Sequence, residues 1–96
     1  MSDAKKMRLF RENQGLTQEE AAAHLNVSVY TISSIESNRR SLSTPQAAYV
    51  DAVISGEMTE KDTPYSLLGR AIKALERGDR DEAIRMCHCA LILLCR

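Results

Sequence analysis

Glycine and proline are scarce in this 96-residue chain, four and two residues respectively, and nowhere do β-branched residues alternate with polar ones over the length a strand needs. That scarcity argues against a turn-rich sheet protein, and the abundance of Ala, Leu, Glu, Arg and Ile favours helices. The chain reads as all-α. Net charge is lacking too: 13 Lys and Arg balance 13 Asp and Glu, which counts against a uniformly basic nucleic-acid binder. The balance is uneven, however, with six basic and five acidic residues in 1–44, one and four in 45–62, and six and four in 63–96. A local basic face is all that a small reader of nucleic acid needs.

Long apolar runs are absent as well. The most apolar stretch, Cys89 to Cys95, is far too short to span a bilayer, so no membrane partner is expected. The start, MSDAKKMRLF, lacks the apolar core of a signal peptide. Cysteine occurs only as Cys87, Cys89 and Cys95, an odd and crowded set that suits reduced thiols better than a disulfide framework. The expected location is therefore cytoplasmic. No Ser/His/Asp grouping, paired-carboxylate site or phosphate-cradling glycine loop is visible, so neither an enzyme nor a cofactor is expected.

What is present is a series of helix signals. Ser2 or Asp3 can cap a first helix running to about Asn13, with Met7, Leu9 and Phe10 inward, and Gly15 can close it. Thr17 and Glu20 have the spacing of a capping box for a second helix whose contacts are Ala21, Ala22 and Leu25. Asn26 stands where a tight turn needs positive φ, and Val27 can plug the angle between helices. Ser28 then caps a third helix with Ile32 and Ile35 inward. Its other side offers Val29, Tyr30, Ser33 and Ser34, short hydroxyls and one tyrosine, which suit a surface facing a DNA groove. His24 is expected on the exposed side of the second helix, with no carboxylate or cysteine spaced to join it on a metal.

These residues resemble a known family. The segment LFRENQGLTQEEAAAHLNVSVYTISSIESNRRSLS is similar to the Xre-type, lambda-repressor-like helix-turn-helix domain of phage Cro and repressor proteins, antitoxins and small bacterial regulators. The matching marks include Leu9, Arg11, Gly15, Thr17, Gln18, Ala22, Leu25, Val27, Ser28, Ile32, Ile35, Glu36 and Arg39. The resemblance implies a double-stranded DNA operator as partner and a bacterial or phage source. It implies that Gln18 and Ser28 hold backbone phosphates, that Val29, Tyr30, Ser33 and Ser34 meet bases, and that Asn38, Arg39 and Arg40 grip flanking phosphates. It further implies that Arg11 and Glu36 form a structural ion pair between the first and third helices. The chain departs from the pattern in having no Gln, Arg or Lys among its base-facing residues, which points to thymine-methyl contacts and single hydroxyl bonds.

Thr44 and Pro45 signal a fourth helix, with Ala47, Val50, Val53 and Ile54 inward and Gly56 closing it. The helix-turn-helix domain is thus expected over 1–56, a linker over 57–63, and a helical hairpin over 64–96. Thr63 and Pro64 start the fifth helix, with Tyr65, Leu68, Ile72 and Leu75 on one stripe, and Asp79 with Glu82 can cap the sixth. Gly78, Ala83 and Ala90 fall as in the second half of a tetratricopeptide repeat, a likeness of hairpin geometry only, since one copy cannot build a solenoid. Cys87, His88 and Cys89 point in different directions on a helix and cannot jointly hold a metal.

The sixth helix ends apolar on every side. Leu91 and Leu94 are expected to face the fifth helix, which leaves Ile92 and Leu93 for a second subunit. Leu91, Ile92, Leu93, Leu94 and Cys95 are accordingly expected at a homodimer interface; the other reading packs this helix back on its own reading domain. The expected function is a dimeric transcriptional regulator, a repressor of phage or mobile-element type on a palindromic operator and able to act on its own promoter. Two other readings stand beside it: an antitoxin whose hairpin holds a toxin, and an adaptor that binds protein without DNA. A protein partner, toxin or antirepressor, is part of that picture.

Overall fold

A computed structural model describes residues 2–95, and among the described residues lie six α-helices and no strand. They are α1 (Asp3–Gln14), α2 (Gln18–Leu25), α3 (Val29–Glu36), α4 (Thr44–Ser55), α5 (Pro64–Glu76) and α6 (Arg80–Leu94). Local chemistry sets most of the boundaries. The Ser2 hydroxyl accepts the Lys5 amide at the start of α1, and Gly15 ends it in the left-handed region at φ 64°. The α2 capping box is reciprocal: the Thr17 hydroxyl accepts from the Glu20 amide at 3.1 Å, and the Glu20 carboxylate accepts from the Thr17 amide at 3.0 Å.

The start of α4 lies one residue earlier than Thr44 suggests. Ser43 is its cap, exchanging hydrogen bonds with Gln46, and Thr44 and Pro45 fall in the first turn. Proline needs no amide partner anywhere in that turn, so it marks the start only to within a residue.

One apolar core runs from Met7 on α1 to Ile92 on α6. Phe10, Met7, Ile32, Ile35 and Val50 are fully buried at the end built by α1, α3 and α4, and Leu67, Ala74, Met86 and Cys89 at its hairpin end. Burying a side chain the size of Leu67 or Met86 contributes roughly 1.5–3 kcal/mol. The joint is α6, which packs along both α4 and α5. Small residues permit that approach: the Cys89 thiol lies 3.6 Å from the Ala48 carbonyl oxygen, to which it donates.

Three expectations change here. The stretch 57–63 is held in place. Met58 is buried in the core, its amide donates to the Ala52 carbonyl, and Glu57 takes two bonds from Arg85 through its carboxylate and one from Arg70 through its carbonyl. Second, α5 buries Leu67, Ala71 and Ala74, while Tyr65, Leu68, Ile72 and Leu75 face solvent. Leu67 and two alanines fill the space left by α6, so the stripe that carries most of the large side chains is not the inward one. Third, His24 is half-buried: its Nδ1 lies 3.4 Å from the Tyr49 hydroxyl and its ring stands edge-on to Phe10.

Candidate nucleic-acid interface

The turn between α2 and α3 depends on close packing. Ala21 and Ala22 are buried where the two helices meet. Asn26 takes φ 61° and ψ 42°, and the Val27 amide reaches back to the Ala22 carbonyl at 3.0 Å. Asparagine tolerates that conformation better than other side chains with a Cβ, so the chain changes direction within three residues. Ser28 caps α3, accepting the Thr31 amide at 3.2 Å.

With Ile32 and Ile35 anchored, the outward face of α3 presents Val29, Tyr30 and Ser33, all exposed, with Tyr30 at 67%. Ser34 does not belong to that face. It is 5% exposed, because one further residue turns it about 100° round the helix toward the core. Its carbonyl oxygen instead closes the end of α3, accepting the amides of Arg39 and Arg40 at 2.8 and 3.2 Å and the Ser37 hydroxyl at 3.2 Å. Ser37, four residues beyond Ser33, is exposed and continues the face in place of Ser34.

A buried carboxylate fixes the pitch of α3. Glu36 is 7% exposed, and its two oxygens lie 2.6 and 3.1 Å from one guanidinium nitrogen of Arg11 on α1. The Gln18 side-chain amide donates to the same carboxylate at 2.6 Å, so the group expected on a phosphate has its donor engaged with Glu36. Arg8 donates to the Glu36 carbonyl at 3.0 Å. Helices α1, α2 and α3 are thus tied at one residue, beside an open groove of about 610 Å³ lined in part by Arg8, Arg11, Gln18, Ser33 and Ser37. The third helix has one charged residue, and Arg11 offsets it.

Beyond α3, Asn38 adopts φ 63° and turns the chain so that Asn38, Arg39 and Arg40 are all exposed. Arg40 folds back to donate to the Thr31 hydroxyl at 3.4 Å, and Thr31 lies 3.0 Å from the Ser28 hydroxyl. Ser28, Thr31 and Arg40 therefore form one polar chain along the edge of the outward face. Sequence reasoning missed Arg8, Thr31 and Ser37. The i, i+4 spacing from Ser33 could have found Ser37, whereas Arg8 and Thr31 required the fold.

Several ionisable groups are set by local contacts. The amide and hydroxyl of Thr17 hold the Glu20 carboxyl below its ordinary value. The Glu57 carboxylate raises the affinity of Arg85 for its proton. Burial pushes the Cys89 thiol up to about 11. Cys87 and Cys95 are exposed and free, and among the described residues no three His, Cys, Asp or Glu side chains are placed to hold a metal.

The residues expected at a dimer interface divide. Ile92 is buried in the core and Leu93 packs against it, while Leu91, Leu94 and Cys95 are exposed. This reverses the expected assignment, because α6 must serve α4 as well as α5 and so buries more of its circumference. No helix among the described residues is long and apolar enough to cross a membrane.

Residues 7–48 match the model of the helix-turn-helix family HTH_3, a match that runs from Met7 within α1 to the first half of α4. Neither the search of curated proteins nor that of solved structures gave a match.

Proposed function

We propose, for a chain that belongs through residues 7–48 to the Xre-type, lambda-repressor-like helix-turn-helix family of DNA-binding regulators, that it acts as a dimeric transcriptional repressor on a palindromic operator. The observation that carries the reading is the outward face of α3. Val29, Tyr30, Ser33 and Ser37 are exposed on a helix whose pitch is fixed by Glu36, and Arg39 and Arg40 stand exposed just past its end. A helix so presented can lie in a major groove, with arginines at its rim meeting phosphates.

The weak individual readers argue for pairing. A valine, a tyrosine and two serines offer apolar contact and single hydroxyl bonds, each discriminating less than a bidentate Arg or Gln. Two such faces on half-sites about 34 Å apart multiply their selectivity. Occupancy of a promoter by the dimer blocks polymerase, and the chain's own promoter, in a phage or mobile element, is the proposed target.

The test is a mobility-shift titration with the DNA upstream of the gene, against unrelated duplex at matched salt. Selective retardation at nanomolar to sub-micromolar protein supports the reading; equal affinity for both duplexes overturns it. Co-purification of one stoichiometric unrelated protein would instead support the antitoxin alternative.

A further inference from the structure

The fifth helix turns its larger apolar residues away from the core. Tyr65 is 85% exposed, Leu68 40%, Ile72 58% and Leu75 58%. Their spacing, i, i+3, i+7 and i+10, is that of two successive heptads, which line one side of a helix without drifting off it. On α6, Leu91 and Leu94 are also exposed, at 47% and 63%, toward the open end of the hairpin where α5 begins. A fully exposed side chain of this size carries on the order of 200 Å², so these six present roughly 700 Å². That exceeds the ~300–600 Å² patch of a typical monomer and approaches the ~800 Å² per partner of a stable complex.

The seam also says what would cover it. None of its four residues is charged, and the exposed charges beside it, Lys73 and Glu76, are of opposite sign, so the face favours neither an acidic nor a basic partner. It is self-matching: run antiparallel about a two-fold axis centred near Arg70, Tyr65 of one copy faces Leu75 of the other, and Leu68 faces Ile72. A two-fold contact requires this kind of self-complementary surface.

We infer that a second copy of this chain docks on the exposed α5 seam, so that the homodimer closes through Tyr65, Leu68, Ile72 and Leu75, with Leu91 and Leu94 at the margin. This rests on the dimeric-regulator reading and moves its interface from the α6 tail to the outer face of α5. On the α6 tail Ile92 and Leu93 are occupied inside their own chain, whereas all four residues of the α5 seam are exposed.

Light scattering on the full chain across a wide concentration range tests it. Wild type is expected to have dimer mass. Ile72→Glu and Tyr65→Glu should each raise the dissociation constant roughly 100-fold or more. Adding Leu75→Lys to Tyr65→Glu should restore association by opposing charge, and Ile84→Glu, exposed on α6 outside the seam, should leave it unchanged. Unaltered far-ultraviolet dichroism shows that each variant is folded, and the exposure of all four positions means none should unfold the chain. Wild type monomeric at every concentration, a folded Ile72→Glu dimer as tight as wild type, or equal loss in Ile84→Glu overturns the inference. DNA binding measured on the same samples keeps the two readings apart. A DNA-binding dimer that Ile72→Glu leaves as tight as wild type sinks the interface alone, and a seam-dependent dimer that binds no DNA sinks the regulator alone.

Discussion

Arg11 and Glu36 join the first and third helices through one guanidinium nitrogen that lies within 3.1 Å of both carboxylate oxygens. Glu36 is buried and Arg11 half-buried, so removing the arginine strands a carboxylate. Arg11→Ala is expected to cost about 2–3 kcal/mol, less than a fully enclosed pair because water can reach the vacated side. For a domain of this size that lowers the melting temperature by roughly 10–20 °C. Glu36→Gln keeps an acceptor for Gln18 and should cost clearly less. Thermal unfolding of the two variants checks the order, and the reverse order would refute the clamp.

Arg39→Ala with Arg40→Ala should weaken binding to every duplex by a similar factor. If each arginine neutralises one phosphate, the slope of log K against log salt becomes less steep by about 0.9 per residue. Titrations at several salt concentrations on operator and random DNA read both effects. An unchanged slope would remove these residues from the phosphate contacts.

Tyr30→Ala and Ser37→Ala should shift the relative affinity for single-base operator variants by about 1–3 kcal/mol at the positions they face. Ser34→Ala should leave the pattern of preference unchanged, because Ser34 is buried. A selection experiment in which Ser34→Ala changed the preferred sequence would contradict the placement of that side chain.

Cys89 should resist thiol reagents that modify Cys87 and Cys95 rapidly, and should react only as the chain unfolds. Its pKa is raised from 9.0 to about 11 by burial, so the unfolded chain loses this proton first. The sign follows: the stability contributed by the neutral thiol is intact below pH 9 and is lost as pH rises from 9 toward 11. Cys89→Ala should lower stability overall yet flatten that decline, and denaturant unfolding at pH 8 and pH 10 compares the two.

Truncation after Thr63 should cost the reader several degrees of melting temperature or leave it molten. It strips α6 from Ala48, Val53 and Met58, which are packed in one core with Met86, Cys89 and Ile92. Dichroism and thermal melts of residues 1–63 beside the full chain measure this. An equal melting temperature would show the reader to be self-sufficient.

Capping residues and turn residues made much of this fold legible, because their signals are local. Thr17 with Glu20, Asn26, Ser28 and Thr63 each act within three or four residues of themselves, and each sits in the structure at the end of a helix. The orientation of α5 was not legible. Its amphipathic pattern shows an apolar stripe but not how much room the neighbouring helices leave, and Leu67 with the alanines of α5 were what fitted. Ser34 illustrates the same limit on a smaller scale, since a serine carries no hydropathy signal to say which way it turns. Gln18 and Arg8 converge on Glu36 from 18 and 28 residues away, a distance over which local pattern is silent.

The bonds from Arg70 and Arg85 to Glu57 give the short connection after α4 the stiffness of a bracket. With Met58 seated in the core and α6 laid along α4, the hairpin shares one apolar core with α1 to α4. A load on the hairpin is therefore borne by the same apolar core that seats Ile32 and Ile35 of α3, along the 40 Å length of the molecule.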